Sequence, residues 1–461
     1  MSTTKLLFSL LFMFISIVVL AANVPPGVWA QVTFGLNLIL ITVLVIINVH
    51  DKNFDLPFTI FLIFCYSFFF IAPIMQIKSG YFPNTMAYNP TLVTKANIYI
   101  FVFMLIFSIS YFLIKNSIKR PIELIDIPKH TYFIMLAVSI IVLIIFLPEL
   151  LGYYVNRSDA LISSVKSTRL IAEHFLFYIP LFLVGYLLYY KEKFSKHSYY
   201  LNIIVSLGLL FWFINPVVSY RNMLGPVYIA LLFSFFYDKI NRNIRAFVLI
   251  SLVLLIGFPA TYEITHGYVE IRDLIPSLFN IKIFDTYRQI HYDAYGNFCA
   301  FIEYAHKAGY CNGKQLLGTL LFFVPRSIWV TKPVGSGIII GDYLMQYYNM
   351  WFNNISAPLI AEGYFNFGIF GIVAYSMGLA CLAAWIYRLM SRGNNYCWFV
   401  GVCSSVHLIF LLRGDLMSSF AFLIGMLFAI LVIPVLISKI PFREFIGEFK
   451  MSAQSIKTSI D

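Results

Sequence analysis

Long apolar runs separated by short polar segments fill most of this 461-residue chain. Each run is about as long as the roughly 20 residues that cross the hydrocarbon core of a bilayer as a helix. The runs are too long, and alternate too little, for the strands of a membrane barrel. The pattern predicts an all-α polytopic membrane protein, a single membrane domain with about twelve transmembrane helices. The predicted spans are 6–22, 32–49, 57–75, 97–114, 131–149, 170–190, 199–216, 222–237, 246–263, 367–387, 396–412 and 417–437.

One gap between the apolar runs is much longer than the others. Residues 264–357 mix polar, aromatic and charged side chains. In the first part of this loop, apolar residues recur at the spacing of an amphipathic helix. The residues at that spacing are Phe284, Tyr287, Ile290 or His291, Ala294 and Phe298.

A second feature of the long loop is a short apolar run at 316–324, which ends at Pro325. The run is too short to span a bilayer as a helix. The sequence therefore predicts a re-entrant or interfacial segment near 316–330, which would hold Arg326 at the depth of the lipid headgroups.

Lysine and arginine are divided unevenly between two alternating sets of loops. One set holds 18 of the 32 basic residues, the opposite short loops hold 7, and the long loop holds the other 7. Since cytoplasmic loops carry the excess of Lys and Arg, both termini are predicted to be cytoplasmic and the long loop to lie outside. The first span follows Lys5 and is predicted to be a retained anchor, because its apolar stretch exceeds that of a typical signal peptide.

The composition excludes several classes of protein. Hydrophobic residues make up 60% of the chain and charged residues 11%, whereas a soluble domain carries about 25% charged residues. The short loops leave no room for a nucleotide-binding domain, and the chain has no GxxxxGK[ST] motif. The net charge of +11 is mostly a topology signal, because no basic run lies in a soluble module of the kind that binds nucleic acid.

The cysteines and histidines show no metal-ligand spacing. No CxxC or HExxH motif is present, so we expect no metal and no other cofactor. Cys299 and Cys311 share the long loop, and the sequence leaves open whether they form a disulfide. The other four cysteines fall in predicted spans, where a small apolar side chain is the ordinary role: Cys65, Cys381, Cys397 and Cys403.

Four arginines lie near the predicted outer ends of spans: Arg169, Arg221, Arg326 and Arg413. The planar guanidinium suits a phosphate ligand because it donates two parallel hydrogen bonds. The alternative is that each arginine reaches toward headgroups or pairs with a carboxylate. Arg326 is the strongest candidate, because Lys332 and the glycines of Gly335-Ser336-Gly337 follow it and would let backbone N–H groups approach an anion.

Carboxylates that could act as a general base are fewer. Glu362 precedes an apolar run, where it could take a proton from a sugar hydroxyl or simply favour the helix dipole. Asp415 is two residues from Arg413, and the alternative there is a structural ion pair. His291 is a further candidate base, because Arg288 and Asp293 lie close to it in the sequence.

Aromatic residues of the long loop have two interpretations. Trp329, Trp351 and the loop tyrosines suit an interfacial belt at the membrane surface. The same rings could stack on the faces of sugars, because they combine flat apolar area with a polar rim.

Two segments of the chain resemble the Wzy-type O-antigen polymerases. In that family a Pro-Arg-x-x-Trp-x-x-Lys-Pro pattern in an outer loop precedes a Glu-x-Tyr-x-Asn-Phe-Gly-x-x-Gly-like stretch. Some members carry Arg-x10-Gly in two outer loops; Arg326 to Gly337 has this spacing, and neither Arg221 nor Arg169 begins a second copy. The matching positions are Pro325, Arg326, Trp329, Lys332, Pro333, Glu362, Tyr364, Asn366, Phe367, Gly368 and Gly371.

The resemblance implies a glycosyltransferase of the bacterial inner membrane. Such an enzyme transfers a growing glycan from undecaprenyl pyrophosphate to a new lipid-linked repeat unit at the periplasmic face, without a nucleotide sugar. It implies the lipid bilayer as surroundings, and a flippase and a chain-length regulator of the same pathway as partners.

The resemblance also suggests roles for the candidate residues. Arg326 would stabilise the departing pyrophosphate, and Glu362 or Asp415, with His291 as runner-up, would orient or deprotonate the acceptor hydroxyl. The remaining candidates would bind the pyrophosphate or the glycan: Arg169, Arg221, Arg288, Trp329, Lys332, Gly337 and Arg413.

Two alternative functions use the same architecture. An O-antigen ligase shares the lipid-linked donor but transfers the glycan to lipid A–core, and its usual outer-loop histidine motif has no obvious match here. A flippase or other transporter should show broken helices or charged residues deep in its spans. Mid-span charge is nearly absent from the sequence, which disfavours a transporter.

Overall fold

A computed structural model describes residues 3–117, 126–155, 172–216, 219, 221–240, 242–257, 286–391 and 395–439. Within these ranges the chain is helical apart from its connecting loops, and its one β-type pairing is an isolated bridge between Tyr81 and Ala87. The predicted all-α class of membrane protein is therefore confirmed.

Nine helices of the described ranges are long and apolar enough to cross a membrane. Each of them overlaps one of the twelve spans predicted from the sequence. They are α1 (Thr3–Ala22), α2 (Val28–His50), α3 (Leu56–Ile77), α4 (Pro90–Ser117), α5 (Lys129–Pro148), α6 (Ala172–Tyr189), α13 (Leu359–Met390), α14 (Tyr396–Arg413) and α15 (Leu416–Ser438), with α7 to α12 between them.

The other three predicted spans fall on helices that are shorter or less apolar. Helix α7 (Lys196–Phe213) is long enough, but its first turn is polar. Helix α8 (Gly225–Phe235) and helix α9 (Asn243–Ile256) are too short to span a bilayer by themselves. The count of nine applies to the described residues. Residues 258–263, which end the predicted span 246–263, lie outside them.

The described part of the long loop, residues 286–357, contains three α-helices: α10 (Ala294–Ala308), α11 (Lys314–Leu320) and α12 (Ser336–Tyr348). The amphipathic helix expected from Phe284 onward is not continuous: Thr286 is helical, a 3-10 turn follows at Ile290–Tyr292, and α10 begins at Ala294. The prediction for residue 284 lies outside the described residues. The apolar run 316–324 is helical only to Leu320 and continues as turns toward Pro325. Cys299 and Cys311 are both free cysteines.

Helix α13 is interrupted by a reversal of the chain. Phe367 and Gly368 have non-helical backbone angles, and Gly368 has a φ of 62°, which favours glycine. A Cβ added to Gly371 would lie 1.8 Å from the carbonyl oxygen of Gly363, although residues eight apart in a continuous helix are about 12 Å apart. The short segment 359–366 therefore folds back on the start of the long segment 369–390.

The chain forms two compact units, of which the first comprises Met1–Ile122 and Ser219–Leu423. In this unit α4 packs against α13: the Tyr99 and Tyr364 rings lie 5.2 Å apart, and Lys115 Nζ lies 4.5 Å from the Tyr387 ring. These two contacts are separated by roughly 24 Å along α4, from the rise of 1.5 Å per residue. They mark opposite ends of the unit.

At the Lys115 end, polar side chains from four helices and their caps form a buried network, which we call the lysine cluster. Lys115 lies 2.6 Å from Asp55 and 2.8 Å from Asp51. Tyr111 donates to both carboxylate oxygens of Asp55, and the Asn243 side chain accepts from the Asp55 backbone N–H. Asp55 also caps the first turn of α3. The cluster therefore joins one terminus of each of four helices, which are α2, α3, α4 and the helix that begins at Asn243.

The second unit comprises Glu123–Val218 and Ile424–Asp461, and it contains α5, α6, α7 and the later part of α15. Tyr132 of α5 lies 3.1 Å from Ser206 Oγ of α7, and Tyr186 of α6 donates to the Ile127 carbonyl. At Gly425 of α15 a Cβ would lie 1.8 Å from the carbonyl oxygen of His174. Only glycine allows this approach of the two backbones.

Candidate functional site

Two carboxylates of the first unit hold the N-termini of two helices at the end opposite the lysine cluster. Glu362 is 2% exposed and lies in the first turn of α13. Its Oε2 accepts a hydrogen bond of 2.8 Å from the Ser336 hydroxyl, and its Oε1 accepts one of 3.3 Å from the Leu416 N–H. Glu362 therefore links the first residue of α12 to the first residue of α15.

Asp415 links the same two helices beside Glu362. Its Oδ2 accepts from the Gly337 N–H at 3.1 Å, and its Oδ1 accepts from the N–H groups of Met417 and Ser418 at 3.1 and 3.4 Å. Asp415 is thus the N-cap of α15 and also an anion at the start of α12. We call Ser336, Gly337, Glu362, Asp415 and Leu416 the carboxylate cluster.

The sequence suggested that the glycines of Gly335-Ser336-Gly337 let backbone N–H groups approach an anion; in the structure the N–H of Gly337 donates to Asp415. A Cβ at Gly335 would lie 2.6 Å from Asp415 Oδ2, so a larger side chain would push the carboxylate away. Gly337 contributes its backbone N–H and no side chain. Any phosphate that binds these N–H groups would have to displace Asp415.

The carboxylate cluster lacks a basic side chain in the described residues. Ser336, Leu416, Gly337, Met417 and Ser418 are all neutral donors. No lysine, arginine or histidine of the described ranges forms an ion pair with Glu362 or Asp415. A buried carboxylate without a cation is costly, and such groups are concentrated at functional sites.

A basic loop, residues 321–335, packs beside the start of α15. The Phe322 and Phe420 rings lie 6.2 Å apart. Gly318 leaves room for Pro333, whose Cγ would lie 2.5 Å from a Cβ at that position. No aspartate or glutamate occurs between residues 314 and 341. The loop thus brings a positive segment close to the helix that Asp415 caps.

Arg326 and Lys332 shape the basic loop through hydrogen bonds to backbone carbonyls. Arg326 donates to the carbonyls of Lys332 and Pro333 at 2.7 and 3.0 Å, and its side chain remains exposed. Lys332 Nζ donates to the carbonyls of Phe322 and Val324. Burial lowers the pKa of Lys332, and the charge of Arg326 lowers it further. The two cations therefore lie close enough to act on one anionic group.

The alternative interpretation of the sequence was an ion pair between Arg413 and Asp415. The structure does not contain this pair, because Arg413 binds Asp293 instead. Its Nη2 lies 2.9 Å from Oδ1 of Asp293, and its Nε donates to the His291 carbonyl at 2.9 Å. Asp415 is instead turned toward backbone N–H groups. The reason is that Asp293 is 2% exposed, so its buried charge requires a cation more than the half-buried Asp415 does.

The other predicted site residues are placed as follows. His291 is buried, next to the Arg413 contact. Arg288 is exposed and donates to the Met75 carbonyl at 3.3 Å, and the indole of Trp329 donates to Thr331 within the basic loop. Arg221 begins the short helix Arg221–Leu224. Arg169 lies outside the described residues.

Two residues of the site were missed in the sequence. Ser336 was read only as part of a glycine-rich turn, although its hydroxyl binds Glu362. Asp293 was read only as a neighbour of His291, although it is the buried partner of Arg413. Neither pairing had a local signal, because the partner of Ser336 is 26 residues away and that of Asp293 is 120 residues away.

The arrangement combines two carboxylates, a serine hydroxyl and a neighbouring pair of cations. Carboxylates can accept a proton from an attacking hydroxyl, and Arg and Lys can stabilise a phosphate leaving group. Among the described residues, no group of three or more His, Cys, Asp or Glu side chains has the geometry of a metal site. Comparisons of the chain with protein-family models, curated proteins and solved structures found no match.

Proposed function

We propose that this chain is a membrane glycosyltransferase of the Wzy polymerase type. It transfers a glycan from undecaprenyl pyrophosphate to the sugar hydroxyl of another lipid-linked repeat unit. The observation that carries the proposal is the buried Glu362, whose hydrogen-bond donors among the described residues are all neutral and which lies beside Asp415. The resemblance of the segments around Arg326 and Glu362 to that family supplies the substrate class.

In the proposed reaction, the acceptor hydroxyl transfers its proton to Glu362 or Asp415 while its oxygen attacks the anomeric carbon of the donor glycan. The bond between that carbon and the pyrophosphate oxygen breaks, and undecaprenyl pyrophosphate leaves with the bonding electrons. Arg326 has five N–H donors. Two of its hydrogen bonds go to backbone carbonyls. The other donors are available to the departing phosphate, where each such bond contributes about 1.5–3 kcal/mol.

The proposal includes a location and an orientation. The chain lies in the bacterial inner membrane, and the lysine cluster faces the cytoplasm because the loops at that end carry the excess of Lys and Arg. The carboxylate cluster and basic loop then face the periplasm, where lipid-linked units are joined. A flippase that supplies these units and a chain-length regulator are the proposed partners.

A lipopolysaccharide gel of a strain that lacks the chain tests the proposal. Loss of the polymerase leaves core plus a single repeat unit, because ligation still occurs. Loss of all O-antigen from the core, with lipid-linked polymer accumulating, identifies a ligase instead. Single units retained inside the cell identify a flippase, and either of these two results rejects the polymerase.

Complementation of that strain tests Arg326. Arg326→Glu should abolish chain extension at a normal protein level, because the reversed charge repels the departing pyrophosphate. Lys314→Glu is the matched control: it reverses an exposed cation just before the basic loop and should retain the ladder. A full ladder with Arg326→Glu would remove this residue from the mechanism.

A further inference from the structure

A buried cluster around Asp293 connects the two segments that carry Glu362 and Asp415. Oδ1 of Asp293 accepts from the Ser356 hydroxyl at 2.7 Å and from Arg413 at 2.9 Å. Its Oδ2 accepts from the Asn297 side chain at 2.9 Å. Ser356 lies six residues before Glu362, and Arg413 lies two residues before Asp415.

The connection through Ser356 fixes the entry into α13. Asn297 binds both the carbonyl and the hydroxyl of Ser356, at 2.9 and 3.0 Å. Pro358 follows and is the N-cap residue of α13, with a rigid extended backbone. The position of Ser356 therefore determines where the first turn of α13, and Glu362 within it, is placed.

The connection through Arg413 fixes the end of α14 and the short link to α15. The guanidinium also donates to the carbonyls of Ile290 and His291, so it is held in a fork of three acceptors. Gly414 separates Arg413 from Asp415. Any displacement of Arg413 moves the N-cap of α15, which is Asp415.

We propose that Asp293 is a positioning residue that holds Glu362 and Asp415 at the spacing their chemistry requires. It acts through Ser356 on one side and through Arg413 on the other, and it does not contact the substrate. This inference rests on the proposed function only in that Glu362 and Asp415 are taken to act in glycosyl transfer. The surroundings of Glu362 can be probed without any glycosyl transfer.

The experiment uses the full chain in lipid nanodiscs and dicyclohexylcarbodiimide, which modifies carboxyl groups in apolar surroundings. Mass spectrometry measures the rate at which Glu362 is modified, and a chain-extension assay is run in parallel. In Asp293→Asn, Arg413 loses its charged acceptor, so we expect a several-fold change in the Glu362 modification rate. We also expect kcat to fall about tenfold or more at nearly constant KM, as misplacement of catalytic groups does.

Asp55→Asn is the matched control, because Asp55 is a buried carboxylate with a cationic partner at the other end of the same unit. It should lower the unfolding temperature but leave the Glu362 modification rate unchanged. If Asp293→Asn likewise lowers only the unfolding temperature, Asp293 is structural and the proposal is wrong.

Two further variants keep the test decisive if Asp293→Asn does not fold. Ser356→Ala keeps the Asp293–Arg413 pair and removes only the side-chain link toward Glu362, so the modification rate should change there too. Asp293→Glu retains the charge and should restore part of the wild-type rate. Absence of chain extension in the wild-type chain would reject the proposed function, whereas the modification rates would still decide the positioning role.

Discussion

The two ends of the first unit bury carboxylates in different ways. Asp55 is 1% exposed and has Lys115 at 2.6 Å. Glu362 is 2% exposed and has a serine hydroxyl and one backbone N–H. The two carboxylates are equally buried, but among the described residues only Asp55 has a cationic partner. Burial alone therefore does not identify a functional group. The partner set separates a carboxylate that holds helices together from one that is available for proton transfer.

The largest expected effect concerns the activity of the uncompensated carboxylate. Glu362→Gln keeps the size of the side chain and removes the proton acceptor, so we expect chain extension to fall by about 10²–10⁴-fold. The unfolding temperature should change little, because the amide oxygen can still accept from the Leu416 N–H while the amide NH2 donates to the Ser336 hydroxyl oxygen. Chain extension is measured by the lipopolysaccharide ladder. Glu303→Gln, at a carboxylate paired with Lys307, is the control; equal activity of the two variants would contradict the comparison.

The next effect concerns the stability of the compensated end. Lys115→Ala leaves Asp55 buried without its cation, so we expect the free energy of unfolding to fall by about 3–5 kcal/mol. Thermal unfolding of the purified chain in nanodiscs measures the loss. Lys129→Ala, which removes a lysine that lies 4.6 Å from the Phe194 ring, should cost much less. Similar losses for both would show that the lysine cluster contributes no more than a surface cation.

The reversal in α13 bears on the same comparison, because it sets the position of the segment that carries Glu362. Gly371→Ala would bring a Cβ to 1.8 Å from the Gly363 carbonyl. We expect this overlap to cost about 1–3 kcal/mol and to impair chain extension. Gly378→Ala lies in the same helix with nothing within 4 Å of its Cβ. Unfolding temperatures that drop equally in the two variants would argue against a backbone contact at the reversal.

The smallest effect concerns a third carboxylate, in the long loop. Burial raises the pKa of Glu303, but hydrogen bonds from Lys307, Tyr343 and Tyr348 outweigh it and hold the pKa below 4.5. A depressed pKa contributes stability above the unfolded value, and this is lost as pH falls through the folded value. The unfolding temperature of Glu303→Gln should thus lie below wild type at pH 7 and approach it as the pH falls below 4.5, with an effect below about 1 kcal/mol. A difference independent of pH would contradict this.

The fold was predictable to the extent that hydropathy determines it. Nine predicted spans coincide with apolar helices because each needs only a local run of residues. The reversal at Phe367 and Gly368 was not predicted, because the apolar pattern continues through it. The break before α10 has the same origin: Ile290 and His291 fit helical spacing but are held in a 3-10 turn.

The candidate site was predictable only in its residue types. Arg326, Glu362 and Asp415 were identified from their places near span ends, and their roles stay predictions. Their partners were not identifiable, because Glu362 binds residues 26 and 54 positions away. Such pairings depend on which helices pack together, and hydropathy does not contain that information.

The long separation between Glu362 and Leu416 has a consequence for how the protein is made. Translation proceeds from the N-terminus, so the segment 359–366 leaves the ribosome before the residue that supplies one of its two hydrogen bonds. Glu362 cannot complete its surroundings until α14 has been inserted and α15 has begun. A nascent chain stopped before residue 416 would already contain α1 to α14, yet it would lack the carboxylate cluster. Assembly of the site therefore follows the synthesis of α1 to α14 and requires the first residues of α15.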